Sequence, residues 1–124
     1  MRIENGTDII EVNRIKNDIE TLGVRFLNRI YTENEISYCE SKKNQKFQSY
    51  AARFAAKEAI YKALSPYIKC EYTWKDFEVL NDEKGRPYVK LGIKIEELED
   101  LTLTLSHCKE YAVANVIAIY NKER

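Results

Sequence analysis

The sequence predicts a small α+β domain in which a long helix packs on an antiparallel sheet. Three observations point there. Residues 46–64 carry a helical pattern of apolar and small side chains that runs unbroken to Ser65-Pro66, and the residue before a proline is where a helix should stop. Beyond that point the apolar period becomes strand-like, with the turn-rich NDEKGR between two short runs. The length, 124 residues, suits one core and not two, and no repeat, low-complexity tract or linker divides it. Residues 1–124 therefore read as a single domain.

The opening IENGTDIIEVNRI reads as a short strand over residues 3–10, with Gly6 letting another backbone approach closely. A helix follows over residues 13–22, capped by Asn13 and ended at Gly23. Residues 26–30 and 33–41 read as short helices, the second capped by Thr32. After the long helix come FEVL at 77–80 and PYVKL at 87–91, either side of the turn. LTLTLS at 101–106 alternates, with Leu101, Leu103 and Leu105 on one face and Thr102, Thr104 and Ser106 on the other. HCKE turns the chain into YAVANVIAIY, residues 111–120, a strand apolar on both faces. One face must pack on the helices. The other, with Tyr111, Val113, Asn115, Ile117 and Ile119, implies either a subunit interface or a second cover of the protein's own helices.

Composition excludes several classes of function. The chain is 44% hydrophobic and 32% charged, as in an ordinary soluble globular protein. Its 20 basic and 20 acidic side chains cancel, so no global field draws it to nucleic acid or a membrane, and a charged partner must meet a local patch. No apolar run approaches the ~20 residues of a membrane span, and Met1 does not open a secretory signal. Cys39, Cys70 and Cys108 are odd in number and lack CxxC spacing, which points to free thiols in a reducing cytoplasm and away from zinc. His107 is the sole histidine, so a multi-histidine metal site is excluded.

The stretch RFAAKEAIYKAL then raises a chemical question. At about 100° per residue, Phe47, Phe54 and Tyr61 share one stripe, and Glu58 stands in the middle of it. A buried carboxylate costs several kcal/mol, on the order estimated for unpaired ions, unless it is paired or binds a metal. One reading is an ion pair with Lys62, since Glu followed by Lys at i+4 is the favoured helical order. A second acid, Asp8, sits polar between apolar strand residues just after Gly6, where a simple turn or cap aspartate is the alternative. Two acids in apolar settings without histidines suit a hard cation: magnesium takes one or two protein carboxylates and completes its shell with water and phosphate oxygens. Lys62, one turn beyond Glu58, would face the same phosphates.

NGTDIIEVNRI, RFAAKEAIYKAL, NDEKGRP and LSHCKEYAVANV occur in the order found in the bacterial holo-acyl-carrier-protein synthases, and the chain resembles that family from Ile3 to Val116. These are the small 4'-phosphopantetheinyl transferases of fatty acid synthesis. The resemblance implies an α+β 4'-phosphopantetheinyl transferase fold assembling as a homotrimer, with active sites between neighbouring subunits. It implies magnesium, or manganese in its place, held by Asp8 and Glu58. It also implies coenzyme A as substrate: its phosphopantetheine arm moves to a serine of apo acyl carrier protein, releasing adenosine 3',5'-bisphosphate. Lys62 would add a point charge on the diphosphate. Glu58 or a water held by the metal would take the serine proton, and the sequence leaves both open.

On the family's pattern Arg53, Arg86 and His107 are coenzyme A contacts. Arg53 would meet the 3'-phosphate, against a solvated helix arginine as the alternative. Gly85, Arg86 and Pro87 match a loop near the adenosine, although such a turn needs no ligand to form. A Ser106–His107 dyad is a poor reading, because adjacent strand residues point to opposite faces. His107 is read as a phosphate or ribose contact or a simple turn residue. Two positions depart from the family: Cys108 stands where aspartate is common, so no essential acid can act there, and Ser65-Pro66 replaces a glycine. The family's carrier is acidic, and Arg14, Lys16, Arg25 and Arg29 offer a basic surface, with Arg14 and Arg25 on one face if the helix continues past Gly23. The alternatives carried forward are transfer to carriers of polyketide or peptide synthesis, and a non-catalytic trimer that holds coenzyme A or a carrier.

Overall fold

The computed structural model describes residues 1–121. The chain opens with strand β1 (Arg2–Glu11), runs through helices α1 (Val12–Leu22), α2 (Val24–Ile30), α3 (Glu33–Glu40) and α4 (Lys46–Leu64), then through strands β2 (Phe77–Asn81), β3 (Pro87–Leu91), β4 (Leu98–His107) and β5 (Tyr111–Tyr120). β1, β5 and β4 form an antiparallel sheet in that order, and β2 and β3 form a separate hairpin beside β4. The predicted α+β class, with a long helix on an antiparallel sheet, is what the chain adopts.

The expected helix cap at Asn13 is absent. β1 runs straight into α1 through Glu11, whose side chain makes no cap bond. The Val12 N–H instead donates to the Glu110 carbonyl at 2.8 Å, a partner far away in sequence. Gly23 does end α1, at φ 63°, and α2 starts at the next residue. Thr32 caps α3 as expected: its hydroxyl accepts from the Glu35 N–H while the Glu35 carboxylate accepts from the Thr32 N–H. α4 has the predicted bounds and passes at Ser65-Pro66 into a single 3-10 turn.

α4 lies across one face of the sheet, against β1 and β5. Ala112, Ala114, Val116, Ala118 and Tyr120 of β5 are buried beneath it, and the Tyr120 hydroxyl donates to the Ala63 carbonyl at 2.8 Å. Alanines on both elements let them approach closely, and Gly6 takes this to its limit. A Cβ at Gly6 would sit 1.9 Å from the Ala59 carbonyl oxygen. Gly6→Ala is therefore expected to lower stability by about 3 kcal/mol, the upper end for overpacking, because the obstacle is backbone and cannot rotate away. Urea unfolding checks this, and a parental midpoint would refute it.

The other face of the sheet stays open. Ile3, Ile9, Tyr111 and Ile117 are all exposed there, Ile9 at 62%. A sheet covered on both sides by its own helices is thus not what forms, and the row between these residues holds Asn115, whose Oδ1 is buried with no hydrogen-bond partner among the described residues. All three cysteines are free. Cys39 is wholly buried, which pushes its thiol up to about 12. Among the described residues no helix is long and apolar enough to cross a membrane.

Candidate active site

Along α4 the charged residues separate by burial. Glu58 is half-buried, not the sunken carboxylate its place in the stripe suggests. The wholly buried charge is its neighbour Lys57, whose Nζ pairs with Glu35 Oε1 at 2.9 Å and donates to the Trp74 and Phe77 carbonyls at 3.0 and 2.9 Å. Burial pushes the Lys57 ammonium down and the Glu35 carboxylate opposes that push. Glu35 is completed by the Val79 N–H at 2.9 Å. So the buried ion pair of this helix is Lys57–Glu35, and Glu58 is left free for the cavity it borders. That cavity, about 310 Å³, has Tyr61, Tyr72, Trp74 and Phe77 as its aromatic walls.

Lys62 does not pair with Glu58 in the manner of an i,i+4 bridge; it crosses to the strand. Its Nζ donates to the Thr7 carbonyl at 2.8 Å and to Asp8 Oδ1 at 3.3 Å. Asp8, half-buried, faces α4 beside Gly6, and Lys62 stands one turn beyond Glu58. Among the described residues there is no group of three or more His, Cys, Asp or Glu that could hold a metal. The donor set fits a hard cation nonetheless. Asp8 on β1 and Glu58 on α4 are carboxylates of the kind magnesium takes from a protein, one or two at a time, and the Lys62 ammonium lies against the first of them.

Arg53, Gly85, Arg86, Pro87 and His107 meet elsewhere, as linings of one cavity of about 310 Å³ between α4, the β2–β3 turn and β4. Arg53 is not a solvated helix arginine: it is 3% exposed. Its guanidinium lies 4.1 Å over the Tyr38 ring, its Nη2 donates to Asn81 Oδ1, and its Nε has no partner among the described residues. The turn is held by its own hydrogen bonds, with Gly85 at φ 83° and Asp82 Oδ1 accepting from the N–H groups of Lys84 and Arg86 at 2.9 Å. Sequence reasoning missed Tyr38 and Asn81, which line the same cavity. Asn81 was visible only as a turn residue, and no signal links Tyr38 to Arg53.

The two groups lie on different sides of the molecule. Nine residues of α-helix separate Arg53 from Lys62, roughly 180° of rotation and about 13 Å of rise. Asp8 belongs to β1 and His107 to β4, the opposite edges of the sheet, about 10 Å apart across β5. Gly23 breaks the helix, so Arg14 and Arg25 do not share a continuous face, and Arg14 lies 5.9 Å over the Phe54 ring.

A family model described as the 4'-phosphopantetheinyl transferase superfamily matches residues 4–116. The chain belongs to that superfamily. It is 49% identical over 118 residues to the holo-[acyl-carrier-protein] synthase of Ruminiclostridium cellulolyticum, covering 90% of this chain and 88% of that protein. It is 45% identical over 124 residues to the synthase of Chlamydia pneumoniae, covering 94% and 97%. Among solved structures it resembles the Bacillus anthracis synthase in complex with CoA (3',5'-ADP), with TM-score 0.76 and 39% identity over 93% of this chain and 94% of that one. The Helicobacter pylori synthase in complex with coenzyme A gives TM-score 0.80 and 29% identity over 93% and 99%.

Proposed function

We propose that this chain is a magnesium-dependent holo-[acyl-carrier-protein] synthase that works as a homotrimer in the cytoplasm. Phosphopantetheine transfer from coenzyme A to a serine of apo acyl carrier protein is the activity its family and relatives carry. The observation that bears most weight for the site is the Lys62–Asp8 contact on the seam that also holds Glu58.

Asp8 and Glu58 would hold the metal, which when bound supplies Lewis-acid stabilisation and a template for the diphosphate. Lys62 places an ammonium against the leaving phosphate, where charge accumulates as its bond breaks. The carrier serine oxygen forms the new bond to the phosphorus bearing the pantetheine arm. The P–O bond to the other phosphate breaks, and its electron pair leaves with adenosine 3',5'-bisphosphate. Glu58, carboxylate oxygens at the cavity mouth, can accept the serine proton. Arg53, Arg86 and His107 would bind the adenosine end of coenzyme A, with Gly85 and Pro87 shaping the turn.

Because Arg53 and Lys62 point away from each other, one chain presents half of a site on each side. The open sheet face of Ile9, Tyr111 and Ile117 gives a second copy an apolar surface to pack on. Two results are expected. Incubation with apo carrier, coenzyme A and magnesium adds one phosphopantetheine to the carrier's mass, and a chelator prevents it until magnesium or manganese is restored. Mixing inactive Arg53→Ala chains with inactive Lys62→Ala chains restores transfer, since mixed oligomers rebuild an intact site. A carrier of unchanged mass would mark a binding module; silent mixtures would place the whole site in one chain.

A further inference from the structure

Arginine side chains are long and lose much rotamer freedom when fixed, so an arginine held by its neighbours calls for a reason. Arg53 is locked from two sides. Tyr38 stacks on its plane and Asn81 Oδ1 accepts from Nη2, while Nε stays buried with no partner among the described residues. A buried N–H left open is costly, and a planar donor fork suits a phosphate monoester. The same Asn81 amide has a second bond, its Nδ2 donating to the Gly85 carbonyl at 3.0 Å. One side chain therefore ties the α4 guanidinium to the turn that carries Arg86.

We propose that Asn81 is a positioning residue that sets selectivity for the 3'-phosphate of coenzyme A, acting through Arg53. This rests on the reading that the Arg53 cavity takes the adenosine end of coenzyme A. Asn81 touches no reacting atom. It anchors the guanidinium at the cavity wall and ties it to the Gly85–Arg86 turn. Without the amide, Arg53 loses its anchor and the turn its tie, so the 3'-phosphate loses its preformed seat while the chemistry at Lys62 is untouched.

The test compares coenzyme A with 3'-dephospho-coenzyme A in the full chain. Asn81→Ala is expected to raise KM for coenzyme A about tenfold, the scale of one charge-assisted hydrogen bond, with kcat within about twofold. Its KM for the dephospho compound should rise by clearly less, because that compound lacks the phosphate that Arg53 seats and depends only on the adenosine contacts of the turn. In an Arg53→Ala background, where calorimetric titration reads binding, adding Asn81→Ala should weaken coenzyme A binding clearly less than it does in the parent. An equal rise with both substrates, or an additive loss in the double variant, overturns the inference and leaves Asn81 a structural turn residue. Calorimetric titration with both compounds, without carrier, makes the same comparison without turnover. A chain that binds but transfers nothing thus overturns the transferase reading alone, while a parent that does not distinguish the two compounds overturns the role of Asn81.

Discussion

Glu58→Gln is expected to cut transfer to the carrier about 10²- to 10³-fold, the scale of losing one preorganised charge at the reacting phosphate. The amide keeps the shape of the side chain and loses the anionic oxygen a hard cation demands. Glu58 is half-buried and makes no contribution to the buried ion pair, so the variant should retain parental unfolding and oligomeric state. Single-turnover mass spectrometry of the carrier reads the rate, with light scattering and urea unfolding as controls. Full activity in Glu58→Gln would remove Glu58 from the metal site.

Glu35→Ala is expected to cost about 3–5 kcal/mol of stability, the range for stranding one partner of a buried ion pair. Lys57 would keep the Trp74 and Phe77 carbonyls but lose its counter-charge, and the Val79 N–H would lose its acceptor. Replacing both partners, Glu35→Met with Lys57→Met, should recover most of that loss, since neither charge of the pair is then left stranded. Urea unfolding of the three variants decides it. A single variant as stable as the double would mean that the pair holds nothing together.

The long helix, the hairpin and the last two strands were readable because their signals are local: a period, a turn hexapeptide, a proline stop. The start of α1 was not, because its first N–H is satisfied by Glu110 across the fold and needs no neighbour such as Asn13. The same limit governs the buried charge. Helical phase gives the direction of Glu58 and Lys57 but not what waits there, and Glu35 lies on another helix. Asp8, Glu58, Lys62 and the Arg53 group were all visible as residues. Their division into two places follows from β1 and β4 lying at opposite sheet edges, an order no single segment encodes.

The contact of Gly6 with Ala59 has a practical consequence for anyone varying this protein. Asp8 stands two residues from Gly6 on β1, and Glu58 and Lys62 flank Ala59 on α4. The two backbones meet with no side chain between them, so there is no rotamer to absorb an error. Whatever pushes β1 off α4 spoils the core and pulls the carboxylates apart in the same motion. A library sorted only for well-expressed, soluble chains is therefore enriched, at these positions, for chains whose site geometry has survived.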